Sequence, residues 1–126
     1  MFEEADLIHS YTRADALRDG VLIDVSAVAR EAGIRYPAAL TRAAWQHCVA
    51  VPPGVPCQDE AGRLWDVLWM LRCAIARQNG GRVVLFALHV RNDNRERTPP
   101  LVRLKAVCGP GDGGEPVLTV MLPDED

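Results

Sequence analysis

Gly62–Gln78, GRLWDVLWMLRCAIARQ, is the stretch on which the fold turns. Leu64, Trp65, Val67, Leu68, Trp69, Met70, Leu71, Cys73, Ala74, Ile75 and Ala76 make a helix that is apolar around most of its circumference, a pattern that predicts burial from several sides. Two of the three Trp residues of the chain lie in it. Arg63, Asp66, Arg72 and Arg77 interrupt the apolar run, which falls short of the roughly 20 residues a bilayer span needs. The expectation is the core helix of a soluble domain. Arg72 breaks the pattern, because Trp65, Leu68, Trp69, Ile75 and Ala76 are its neighbours at helical spacing, while Arg63, Asp66 and Arg77 share the opposite side. Two readings stay open. Arg72 lays its stem on apolar surface and sends its guanidinium to water or over a Trp ring. Otherwise it is a desolvated cation held by a carboxylate such as Asp24, or kept for an anionic group of a partner.

Upstream, Leu7, Ile8 and Tyr11 are apolar groups placed to pack back on the core. Thr12 and Asp15 have capping-box spacing, so a short helix is expected over Arg13–Arg18, closed by Asp19-Gly20. Val21–Val25 is β-branched and reads as a short strand. Ser26 is placed as N-cap of a helix over Ala27–Ala32, with Gly33 to end it in a left-handed conformation. After Tyr36-Pro37, Leu40, Ala44, Trp45 and Cys48 recur at helical spacing. Val51–Pro56 is a rigid connector, and Asp59 and Glu60 suit the positive start of the central helix. Downstream the period changes to two. Arg82–Arg91 sets Val84, Phe86, Leu88 and Val90 on one face. Leu101–Cys108 turns Val102, Leu104 and Ala106 inward, and Val117–Leu122 supplies a third strand. The expected architecture is α+β: short N-terminal helices and one short strand, a central buried helix, and a three-stranded antiparallel meander packed on it. Residues 1–126 are expected to form a single domain.

The chain carries 14 Lys+Arg against 17 Asp+Glu, net −3, which argues against general nucleic-acid affinity. The average hides a division: residues 82–105 hold six cations and two anions, and the remainder holds eight and fifteen. An acidic N-terminus without the basic start and apolar run of a secretory signal predicts a cytoplasmic protein with Cys48, Cys57, Cys73 and Cys108 as thiols. No Cys-x-x-Cys or paired-His spacing predicts a metal, and no cofactor is expected. Gly109–Glu115, GPGDGGE, lacks the Lys, Ser/Thr and following helix of a phosphate loop and reads as a long hairpin turn. His47 and Cys48 project ~100° apart on a helix, so they do not face each other. His9, His47 and His89 lie in different elements, and nothing in the pattern is an enzyme signature.

Ser26–Trp45, SAVAREAGIRYPAALTRAAW, resembles the helix-turn-helix of repressors related to the lactose repressor, with Arg35, Arg42 and Gln46 as the side chains that would meet DNA. The alternative is two short helices joined by a Gly turn and buried by Ala and Trp.

Over nearly its full length the chain also resembles a small, functionally uncharacterised bacterial family often carried on plasmids and integrative conjugative elements. The segments DLIHSYTRADALRDGVLIDVSAVAREAG, QDEAGRLWDVLWML and VCGPGDGGEPVLTVMLPDED carry that resemblance. It implies an accessory role in transfer, regulation or suppression of host defences such as CRISPR–Cas. The leading expectation is therefore a non-enzymatic protein-binding factor, monomer or homodimer, acting on a protein or ribonucleoprotein complex of the host. A DNA-binding regulator and a small enzyme with an unrecognised site are the alternatives. The expected contact residues are Arg72, Arg91, Arg95, Arg97, Arg103 and Lys105, with Asp112, Glu115, Asp124, Glu125 and Asp126 supplying the opposite charge.

Overall fold

The computed structural model describes residues 10–126, so the expected packing of Leu7 and Ile8 lies outside the described residues. Its elements are α1 (Arg13–Arg18), β1 (Leu22–Asp24), α2 (Ser26–Glu31), β2 (Ala38–Thr41), α3 (Arg42–Cys48), α4 (Glu60–Arg77), β3 (Val83–His89), β4 (Leu101–Pro110) and β5 (Pro116–Met121). The strands form one mixed sheet in the order β1-β2-β5-β4-β3. None of the helices among these residues is long and apolar enough to cross a membrane.

The capping box at Thr12 forms as its spacing predicts. The Thr12 hydroxyl accepts from Asp15 N and the Asp15 carboxylate from Thr12 N, satisfying two amides that the helix itself leaves unpaired. Tyr11 does not pack back on the core: it is exposed, and its hydroxyl donates to Asp19. Ser26 is not an N-cap. Val25 takes that position without a side-chain bond. The Ser26 hydroxyl instead donates to Asp24 Oδ1 at 2.6 Å and accepts from Ala38 N at 3.0 Å, which ties α2 to the start of β2.

The strand β2 is the main departure from expectation. The helical spacing that begins at Leu40 predicts a helix here, yet Ala38–Thr41 pairs antiparallel with β1 and parallel with β5. Alanine is a poor strand former in isolation, but Ala38, Ala39 and Leu40 are fully buried between two neighbours, and that tertiary context overrides propensity. Pro37 biases the residue before it to extended backbone. Thr41 then ends the strand and caps α3, its hydroxyl accepting from Ala44 N. The helical spacing of Ala44, Trp45 and Cys48 is real, but it starts only at Arg42.

The meander β3-β4-β5 is antiparallel as expected, and Val84, Phe86, Leu88, Val90, Leu104 and Ala106 are buried under α4. Its β5 edge is not free, because β2 extends it to five strands. GPGDGGE is the β4–β5 turn, closed by Gly111 N donating to the Glu115 carbonyl. The expected burial of α4 from several sides does not hold. Arg63, Leu64, Val67, Leu68, Leu71 and Ala74 form one buried stripe, while Trp65 and Trp69 are 38% and 43% exposed. Among the described residues no helix covers the other face of the sheet over β3 and β4, and there Leu85 is 70% exposed.

Candidate partner-contact surface

The outer face of α4 is built from side chains four and seven residues apart. Trp65 and Trp69 stack with ring centroids 5.9 Å apart and 13° between planes. The Arg72 guanidinium carbon lies 5.5 Å from the Trp69 centroid, a cation–π contact on an exposed ring. Its other side is closed by Gly33, where φ is +94° and an added Cβ would come within 3.1 Å of Arg72 Nε. Arg72 is thus held between a ring and a backbone that only glycine allows so close. Asp24 is not its partner, being engaged by Ser26. Among the described residues no carboxylate lies within ion-pair distance of Arg72, Arg35 or Arg77.

Two depressions flank this face. One, of about 330 Å³, is lined by Ile34, Arg35, Tyr36, Arg72 and Ile75 between α4 and the turn after α2. The other, of about 350 Å³, lies on the β3 side under Asp66, Trp69 and Met70, with Ala87, His89 and Leu101 as its floor. Exposed Trp, Tyr and Arg beside apolar hollows match the composition of residues that carry most of the energy in protein interfaces.

The buried cation is Arg63, not Arg72. Only 6% exposed, Arg63 donates through Nε to the Cys48 carbonyl at 3.0 Å, through one terminal nitrogen to the Arg91 carbonyl at 2.6 Å, and through the other to Asn92 Oδ1 at 2.7 Å. Loss of water around the guanidinium lowers its pKa. The signal was in the sequence: Arg63 lies four residues before Val67, on the line that Leu71 and Ala74 continue.

The charged residues expected to meet a partner divide in two. Arg91 folds into its own loop, donating to the carbonyls of Glu96 and Arg97. Asp112 accepts from the amides of Arg13 and Ala14 at the start of α1. Glu115 accepts from Gly113 N, and Glu125 from Leu122 N and the Thr41 hydroxyl. Arg95, Arg97, Arg103, Asp124 and Asp126 are exposed, and Lys105 is half-buried. Arg103 and Lys105 stand opposite Ala87 and Leu85 on the uncovered sheet face.

Arg35, Arg42 and Gln46 do not share one recognition helix. Strand β2 separates α2 from α3, leaving Arg35 at the cleft beside Arg72. Arg42 is turned to the end of α1, donating to the carbonyls of Gly20 and Asp19. Gln46 is exposed on α3. Of the groups weighed for chemistry, His9 lies outside the described residues. His47 is exposed on α3, and His89 Nδ1 is 2.7 Å from the Pro99 carbonyl on β3. Burial pushes the Cys48 thiol up to about 11, which disfavours the nucleophilic thiolate.

The chain belongs to a family of unknown function (DUF6573). The family model matches residues 1–126. No curated protein and no solved structure matches the chain. That coverage agrees with the near end-to-end extent of the resemblance read from the sequence.

Proposed function

We propose that this protein is a non-enzymatic binding factor whose protein partner docks on the outer face of α4. The stacked, exposed Trp65–Trp69 pair with Arg72 fixed against it is the observation that carries the reading. Stacking at i,i+4 gives the helix only a few tenths of a kcal/mol, whereas an interface gains a rigid apolar platform with a preset cation at its rim. The partner chemistry that fits is an apolar anchor for the cleft beside Ile75 and Tyr36, with a carboxylate to meet Arg72 and Arg35. The finer reading is an accessory factor of a mobile genetic element, cytoplasmic, that blocks a host machine such as CRISPR–Cas. It rests on the family resemblance, and Arg95, Arg97, Arg103, Asp124 and Asp126 are available as its charged rim.

The test is capture from a host lysate with three baits: wild type, Trp65→Ala and Arg72→Glu. One complex should be retained by wild type and weakened about 30-fold or more by each variant, the scale of a central aromatic or Arg contact. Circular dichroism should show both variants folded. Retention of the same complex by folded Trp65→Ala and Arg72→Glu would remove the α4 face from the account.

A further inference from the structure

We propose that two copies of this chain pair through the free edge of β3, antiparallel about a two-fold axis. The argument starts from register. Cys108 N donates to the Arg82 carbonyl and Val90 N to the Pro100 carbonyl, so even-numbered residues of β3 exchange hydrogen bonds with β4. The odd-numbered residues must then turn their amides and carbonyls away from the sheet. Val83 confirms it, because its outward carbonyl accepts from Gln78 Nε2 at 3.0 Å. Leu85, Ala87 and His89 carry the remaining row, for which no backbone partner exists among the described residues.

Edge strands are ordinarily blunted by charge, proline, a bulge or shortness. The opposite edge follows that rule, since β1 is three residues long and carries Asp24. β3 follows none of it: VVLFALH is seven residues long with unbroken register, no proline and no Asp, Glu, Lys or Arg. A neutral edge meets its own copy without like-charge repulsion. In an antiparallel pair, outward residues face outward residues, so odd numbers meet odd numbers and Arg82 is never set directly opposite Arg91.

The surroundings suit a second copy as well. Asp66, Trp69 and Met70 overhang the edge on the helix side, and exposed Leu85 and Leu101 flank it on the other. Seven paired residues span about 24 Å. A sheet layer and a helix layer together are roughly 20 Å deep, giving about 1,000 Å² over both copies, the lower bound for a specific interface. The dimer is therefore weak and concentration-dependent. Trp65 and Arg72 do not line the depression at this edge, whereas Trp69 borders both surfaces. The pairing is argued from the strand edge alone and does not depend on the proposed partner surface.

The experiment is sedimentation equilibrium of the full chain from about 10 μM to about 1 mM, with hydrogen exchange at the two ends of that range. The expected result is a rise in average mass towards the dimer, with slowed exchange at the amides of Leu85, Ala87 and His89. Those of Val84, Phe86 and Leu88, already bonded to β4, should be unaffected. Ala87→Pro removes an outward amide that the monomer's sheet does not use, and Leu85→Asp places a charge at an exposed position. Both should stay monomeric with unchanged circular dichroism. A wild-type chain that is monomeric throughout, or folded Leu85→Asp that self-associates as wild type does, would overturn the proposal.

Discussion

Arg63 of α4 donates to the carbonyl of Cys48, the last residue of α3, across 3.0 Å of buried space. That carbonyl is among the last four of its helix, which have no partner within the helix and carry the negative end of the helix dipole. The same guanidinium holds the Arg91 carbonyl and Asn92 Oδ1, and Asn92 Nδ2 donates in turn to the His47 carbonyl. One cation thus joins the end of α3, the start of α4 and the exit of β3. It does so without a carboxylate within ion-pair distance among the described residues.

Replacing Arg63 by Met keeps much of its stem but leaves those buried acceptors unpaired. The expected loss is about 2–4 kcal/mol, two or more acceptors at 1–3 kcal/mol each with partial rescue by water. Arg63→Lys should fall between, because an ammonium cannot reach three acceptors in the guanidinium's fork. Arg72→Leu, on the exposed face, should change stability by no more than about 0.5 kcal/mol. Urea denaturation of the three variants measures this ranking, and an Arg72→Leu loss as large as that of Arg63→Met would refute it.

The exchange of roles between Arg63 and Arg72 shows how far periodicity reads this chain. Alternation placed Val84, Phe86, Leu88 and Leu104 on the buried face correctly, because a half-covered strand admits only one register. The α4 wheel was harder, since Trp65, Trp69 and Ile75 have the chemistry of core residues and only their surroundings leave them exposed. β2 was illegible for a different reason. Ala38, Ala39 and Leu40 have no local strand preference, and their partners come from β1 on one side and from β5, some eighty residues later, on the other. Arg72 on the outer face of α4 is among the expected contact residues while its neighbours Trp65 and Trp69 read as core, and Arg91, Asp112 and Glu115, expected beside it, staple turns and a helix end.

Gly33→Ala should cost about 1–2 kcal/mol from the positive φ alone, with a further part from the collision with Arg72 Nε. In the Arg72→Ala background that second part disappears. A double-mutant cycle on thermal or urea stability should therefore show coupling of at least about 0.5 kcal/mol. Strict additivity would mean that Arg72 is not held against Gly33 in solution.

Cys48 gives the protein an alkaline dependence of known sign. Burial raises its thiol from 9.0 to about 11 in the folded state. Between those values the unfolded chain surrenders a proton that the folded chain keeps, so the contribution is whole below pH 9 and is lost as pH rises towards 11. Plotting the urea midpoint of wild type and of Cys48→Ala against pH should show the wild-type curve falling more steeply in that window. Parallel curves would contradict the burial of this thiol. With a thiol reagent at neutral pH, exposed Cys57 should react first and Cys48 only on unfolding.

Asp112 and the Arg95/Arg97 pair separate structural charge from charge free to meet a partner. Asp112 bridges the β4–β5 turn to the amides of Arg13 and Ala14, and Arg13 completes the link by donating to Thr119 Oγ1 and the Leu118 carbonyl. Asp112→Ala should cost about 1 kcal/mol, the scale of a helix N-cap, while Thr12 still caps its own amide. Hydrogen exchange should quicken at Arg13 and Ala14. Among the described residues, Arg95, whose side chain is 87% exposed, and Arg97 make no comparable bond through their side chains to another element. The double change Arg95→Glu, Arg97→Glu should leave stability within about 0.5 kcal/mol, because an exposed charge in a loop has little to lose. If the charged rim assists docking on α4, the same double variant should slow association with the captured complex and flatten its salt dependence, since rim charges act mainly on the rate of encounter. Unchanged association kinetics would leave the Trp65–Trp69–Arg72 face as the whole of the recognition surface.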